Sequence, residues 1–97
     1  MKGNVCKVRV RLFGDLAEVF QAREEEVELE RASSIQGLLR LLCNSYQRRT
    51  KIFDKSGEVR SDINILRNGR NIAFLNGVET ELDDGDVVSV FPRMFGG

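Results

Sequence analysis

The chain has 97 residues, enough for a single domain with one modest core and too few for two. Fifteen basic residues balance fifteen acidic ones, and 41% hydrophobic content beside 31% charged residues marks an ordinary globular chain with no net field to recruit nucleic acid or anionic membrane. Histidine is absent, which excludes Ser–His and Cys–His nucleophile pairs and every metal site that depends on imidazole. No apolar run approaches the ~18 residues of a membrane span, the start MKGNVCKVRV does not read as a signal peptide, and a cytoplasmic location is expected.

Cys6, Val8, Val10 and Leu12 alternate with Lys7, Arg9, Arg11 and Phe13, the period-two pattern of a strand with one buried face. Phe13-Gly14-Asp15 turns the chain, and Leu16, Val19 and Phe20 suggest a short helical turn in the connection. Val27 and Leu29 then alternate with Glu26, Glu28 and Glu30, so the first two strands are expected to pair as an antiparallel hairpin. From Ser33 the period changes. Ile35, Leu38, Leu39, Leu42, Cys43 and Tyr46 fall on one face of a helix, Ser33 and Gln36 fit a capping box, and Arg48, Arg49 and Lys51 follow as helix-end charges. Gly37 falls on the solvent side of that helix, at a cost near 1 kcal/mol relative to alanine.

After a polar connection, Ile63 to Arg67 predict a strand turning at Asn68-Gly69, a dipeptide suited to a type I′ hairpin because both central residues need positive φ. Further turns are expected at Asn76-Gly77 and at Asp83 to Asp86. The last strand, VVSVFP, should end at Pro92, which has no N–H to donate. It is expected beside and parallel to the first strand, since parallel neighbours need a long crossover and this chain has one. The order predicts an α+β, ubiquitin-like β-grasp, a mixed sheet with one main helix packed across it. The domain is expected over residues 1–92, with 93–97 a flexible C-terminal tail ending in Gly96-Gly97.

Few residues offer chemistry of their own. Cys6 shares parity with Val8 and Cys43 sits in the leucine stripe, so both read as core thiols, too few in any case for an iron–sulfur cluster. The glutamates between Glu24 and Glu30 read as a solvated face, and Asp83, Asp84 and Asp86 as turn chemistry without the spacing of a calcium loop. No metal site is expected. No nucleophile, base and oxyanion site assemble, so catalysis by this chain alone is not expected. Phe13 and Phe91 fall on the outer face by parity, and if the first and last strands are neighbours the two rings meet there. Covered, they belong to the edge of the core; exposed beside Arg9 and Arg11, they have the composition of a protein interface.

The terminus itself is the sharpest feature. A Gly-Gly end arises by chance in roughly one chain in 200. With RNGRNIAFLNGVETELDDGDVVSVFP and the closing glycines, the chain resembles the MoaD/ThiS family of ubiquitin-like sulfur carriers, with the archaeal ubiquitin-like modifiers as relatives, from VRVRLFGDLAEV to Gly97. Arg93, Met94 and Phe95 stand where that family commonly has a second proline and small residues. The resemblance implies that the Gly97 carboxylate is adenylated by an E1-like enzyme of MoeB/ThiF type. No cofactor is bound, and the ATP belongs to the activating enzyme. A thiocarboxylate then donates sulfur in molybdopterin biosynthesis, with the tail inserted into a MoaE-like large subunit. Alternatively, Gly97 is joined to lysines of target proteins; a non-covalent binding module is the third reading. Residues 93–97, fully extended, span at most about 17 Å, and Gly96 and Gly97 carry no Cβ to obstruct a narrow channel. Phe13 and Phe91 are the expected docking residues, with Arg67 at their rim and Arg93, Met94 and Phe95 contacting the partner along the tail.

Overall fold

The computed structural model describes residues 5–93. Strand β1 (Val5–Leu12) leads through a one-turn helix α1 (Asp15–Phe20) into β2 (Glu24–Glu30), and helices α2 (Ile35–Leu42) and α3 (Tyr46–Ile52) follow. Strands β3 (Ile63–Arg67) and β4 (Arg70–Asn71), two short 3₁₀ turns (Ile72–Phe74 and Gly77–Glu79) and β5 (Val87–Pro92) complete the order. The five strands form one mixed sheet in the order β2-β1-β5-β3-β4. β1 and β5 run parallel, and the other pairs are antiparallel. This is the β-grasp expected from the element order, with the last strand at the centre of the sheet.

The alternation of β1 is realised without exception: Cys6, Val8, Val10 and Leu12 are buried and every intervening residue is exposed. These side chains meet Val27 and Leu29 of β2, Ile65 of β3, and Val88 and Val90 of β5 beneath Ile35, Leu38, Leu39 and Leu42 of α2. Burying each leucine or valine contributes about 1.5–3 kcal/mol, and this face supplies most of the driving force for the fold. Phe20, Leu16 and Ile52 close the core at the α1–α3 end.

The Asn68-Gly69 turn has the expected form, with φ of 51° and 85°. The Asn76-Gly77 turn continues into a 3₁₀ turn, where Asn76 N–H donates to Thr80 Oγ1. At the far end of β5, Ile63 pairs with Pro92, and the Arg93 N–H donates to Asp62 O at 2.6 Å. Backbone pairing therefore runs one residue past the proline. Of the tail expected to be flexible over 93–97, Arg93 is held by this bond, and Met94 to Gly97 lie outside the described residues.

The helical segment departs from expectation. The single helix read from the leucine pattern is two helices, broken at Cys43 to Ser45. Ser45 is the cause: its Oγ accepts the Arg48 N–H at 3.2 Å and caps a new helix, the role in which serine outcompetes continuation. Tyr46, expected on the buried stripe, consequently points outward and is 73% exposed. The first cap also moves by one residue. Ser34, not Ser33, accepts the Gly37 N–H, while the Ser33 hydroxyl donates to Glu30 O at 2.6 Å. Arg48 is not a solvated helix-end charge either. Its guanidinium lies 4.6 Å from the Phe20 ring centroid, donates to the carbonyls of Leu42 and Phe20, and sits 3.6 Å from Glu25. It ties both helices to β2. Lys51 bridges α3 to Asp15 of α1 at 2.8 Å.

Candidate functional site

The sheet has one face covered by helices and one without such a cover, and the second carries the candidate interface. β1 turns Lys7, Arg9 and Arg11 to it, and the parallel register places Arg11 beside Ser89 of β5. Across the antiparallel β5–β3 pair, Phe91 faces Asn64 and Ser89 faces Leu66. Phe13, one residue beyond β1, continues the ladder by donating its N–H to Val90 O at 3.1 Å. That bond fixes its position beside β5.

Phe13 and Phe91 meet edge to face, with ring centroids 6.1 Å apart and planes at 89°. The geometry sets the positive edge of one ring against the negative face of the other. The Arg11 guanidinium carbon lies 5.5 Å from the Phe13 centroid, so the outer ring also carries a cation. Phe13 is 41% exposed and Phe91 is partly exposed, which settles the choice left open by parity: the pair is not covered by the core edge. With Gly14, Leu66, Ser89 and Pro92 the two rings line a shallow groove of about 350 Å³. Phe13 also borders a larger, more polar depression of about 870 Å³ that includes Arg11, Glu18 and Arg23.

Leu66 is an apolar member of this groove that the sequence reading does not include among the site residues. Its signal was parity within β3, but parity names a face only once the register of β3 against β5 is known. The same register separates Arg67 from the aromatic pair. Arg67 lies opposite Val88, a core residue, and so sits at the rim of the helix-covered face. Its Nε donates to Asp86 Oδ2 at 2.8 Å and its Nη2 to Asp83 Oδ2 at 3.0 Å. Arg67 is a structural residue of the β3–β5 junction, not a rim residue of the groove.

Asp86 is the hub of that junction. It also accepts from Asn68 Nδ2 and from the Asp83 N–H, while Asn68 Oδ1 accepts from the Val87 N–H. Burial by itself would raise the Asp86 carboxyl; the Asp83 N–H, the Asn68 amide and the Arg67 guanidinium outweigh it and hold the group below its ordinary value. Asp84 accepts the Lys7 N–H at 2.7 Å, so the acidic loop serves as turn chemistry. Cys6 and Cys43 are both buried. Burial pushes the Cys43 thiol up to about 11, against the smaller opposing pull of Arg48 and Arg49, and raises that of Cys6. Neither is an available thiolate at neutral pH. Among the described residues, no three His, Cys, Asp or Glu side chains are grouped to hold a metal ion, and no helix is long and apolar enough to cross a membrane.

The groove adjoins the exit of the tail: Pro92 lines it, and Arg93 is the last described residue. Of the expected tail contacts, Arg93 is exposed at the end of β5, while Met94, Phe95, Gly96 and Gly97 lie outside the described residues.

Comparison with known proteins agrees with this geometry. The sequence model of the ThiS family matches residues 10–97. Small archaeal modifier protein 3 of Haloferax volcanii is 34% identical over 91 residues, covering 94% of this chain and 99% of that protein. The solution structure of small archaeal modifier protein 1 from Methanosarcina acetivorans superposes with a TM-score of 0.82 at 32% identity, over 98% of this chain and 100% of that one. A Pyrococcus furiosus protein provisionally described as molybdopterin converting factor subunit 1 superposes with a TM-score of 0.71 at 29% identity, over 92% of this chain and 99% of that one. The β-grasp thus has its counterparts in sequence and in structure, and the chain belongs to the ThiS family of ubiquitin-like sulfur carriers.

Proposed function

We propose that the chain works through the carboxylate of Gly97, activated by an E1-like adenylating enzyme that uses ATP. A glycine carboxylate is ionised at neutral pH, with an ordinary pKa of about 3.3–3.7, and is inert toward nucleophiles. Attack of its oxygen on the α-phosphorus of ATP expels pyrophosphate and leaves an acyl-adenylate, a mixed anhydride whose carbonyl carbon is electrophilic. Hydrosulfide attacking that carbon displaces AMP and yields a thiocarboxylate, which can deliver sulfur. The first reading is delivery in molybdopterin biosynthesis as the small, non-catalytic partner of a MoaE-like subunit. It is supported by the Pyrococcus furiosus structure and its description.

The observation that carries the proposal is the position of Pro92. Pro92 is at once the last residue of β5 and a wall of the Phe13–Phe91 groove, so one partner surface can grip the groove and receive Gly97. The four residues after Arg93 reach at most about 14 Å. A second reading has its own support: two relatives that match most of the chain are named small archaeal modifier proteins. In that role a lysine amine on a target takes the acyl group in place of sulfur, and the activation step is unchanged.

ATP–pyrophosphate exchange with the E1-like enzyme of the same organism tests the shared step. The intact chain should support exchange and the chain lacking Gly97 should not; equal exchange by both overturns the proposal. Intact mass from native cells separates the readings. Replacement of one oxygen by sulfur marks the carrier, and Gly-Gly remnants on lysines of other proteins mark the modifier.

A further inference from the structure

On the helical side of the sheet, away from the aromatic groove, the ends of α2 and α3 and the loop after α3 enclose a cleft of about 410 Å³. Its walls include Arg40, Tyr46, Arg49, Phe53, Asp54 and Lys55. The break in the helix creates it. Had α2 continued through residue 46, Tyr46 would lie on the leucine stripe; the Ser45 cap turns it outward, where it is 73% exposed.

The basic side chains of this cleft lack the carboxylate partners that several others have. Arg9, Arg48, Lys51, Arg60 and Arg67 each have a carboxylate within ion-pair distance. Arg40, Arg49 and Lys55 are exposed, lie together on one cleft, and make no side-chain ion pair or hydrogen bond among the described residues. The single carboxylate in the lining, Asp54, is held by its own turn, where Oδ1 accepts from the Ser56 N–H, the Ser56 hydroxyl and the Glu58 N–H, and its charge still leaves the lining net positive. The cleft therefore presents three uncommitted donors of positive charge beside an exposed phenol and a half-buried phenylalanine.

We propose that this cleft docks an acidic peptide segment of a partner protein. Arginine binds carboxylates in a planar, two-pronged geometry, and arginine and tyrosine are the side chains most enriched at the energetic centres of protein interfaces. Nucleic acid fits less well, because duplex binders typically neutralise about six to ten phosphates and the cleft offers three cations. The glutamates at 24, 26, 28 and 30, exposed along β2, leave no basic stripe for a longer polyanion to follow across the domain. The cleft shares no lining residue with the Phe13–Phe91 groove, so its failure leaves the activation proposal standing.

The test uses the full chain labelled with nitrogen-15 and titrated with a synthetic glutamate-rich peptide, its glutamine counterpart and a single-stranded uridine oligonucleotide. Amide shifts should be confined to residues 40–57 with the glutamate peptide and be far weaker with the glutamine one. Raising salt from low to physiological strength should weaken binding, as expected of exposed charges. Arg40→Gln, Arg49→Gln and Lys55→Gln should each lower affinity about threefold, and the triple change tenfold or more, as expected for exposed ion pairs. Tyr46→Ser should also weaken it. All four positions are exposed, and the dispersion of the remaining amide signals reports that each variant is folded. The absence of shifts, shifts centred elsewhere, equal binding of the glutamine peptide, unchanged affinity in the triple variant, or tighter binding of the oligonucleotide each overturns the proposal.

Discussion

Gly14 lies against the ring of Pro92 so closely that a Cβ added to it would come 3.0 Å from Pro92 Cγ and 3.3 Å from Cδ. Gly14 also has φ 61° and ψ −143°, a conformation almost closed to other residues. The residue that starts α1 and the residue that ends β5 are thus fitted to each other at the root of the tail. Gly14→Ala should cost about 2 kcal/mol, from backbone strain and the close contact together, and lower the melting temperature by roughly 10 °C. Adding Pro92→Ala should restore the share due to contact and leave the share due to backbone strain. A thermal melt of the two variants separates the contributions; an unchanged melting temperature for Gly14→Ala would show that neither constraint acts.

Phe91→Ala should weaken binding to the activating enzyme by 2 kcal/mol or more, about thirtyfold, while the domain stays folded. Leu66→Ala should weaken it in the same direction, because Leu66 lines the same groove. Arg67→Ala should behave differently, losing stability through Asp86 and Asp83 without a direct effect on affinity. Binding titrations paired with urea melts distinguish these outcomes, and unchanged affinity of Phe91→Ala would remove the groove from the docking surface.

Acid should loosen the β3–β5 junction. The Asp86 carboxyl is held below its ordinary value of 3.8, so the stability it contributes is complete above that value and is lost as the pH falls through the lower folded-state value. Unfolding free energy should therefore fall as the pH drops below about 4, and Asp86→Asn should flatten that slope. At neutral pH the variant should be less stable by about 2 kcal/mol, since hydrogen bonds to a partly buried charge are weakened. Urea titrations across a pH series measure both effects. An Asp86→Asn protein with the original acid slope would place the titrating group elsewhere.

Gly37 sits in the first turn of α2, exposed, and a Cβ there would meet only Ser34 Oγ at 3.9 Å. Nothing in the packing requires a glycine, so Gly37→Ala should raise stability by about 0.5–1 kcal/mol through helix propensity and a smaller unfolded-state entropy. Chemical denaturation reads this directly. A loss of stability would reveal a constraint that the free-standing domain does not display.

The strand alternation, the Asn68-Gly69 turn and the end of the last strand are legible in the chain. Strict alternation placed Val8, Val10 and Leu12 inward and Arg9 and Arg11 outward; Asn68-Gly69 announced its turn through the positive φ it needs; Pro92 marked the last strand residue because it lacks an N–H. The length of the crossover between first and last strands implied their parallel pairing, and with it the meeting of Phe13 and Phe91.

Tertiary structure decided the rest, because register and helix termination are set by partners distant in sequence. Leu66 and Arg67 are neighbours in β3, and only the pairing of Leu66 with Ser89 and Arg67 with Val88 sends one to the groove and the other to Asp86. The leucine stripe was read through Tyr46 because a pattern of apolar residues continues smoothly there. The serine cap stops it, and Arg48 finds Phe20 and Leu42 carbonyls to bond only once the second helix has turned. A period can be counted along the chain; which of two competing hydrogen bonds a serine or an arginine makes depends on what the folded protein brings within reach.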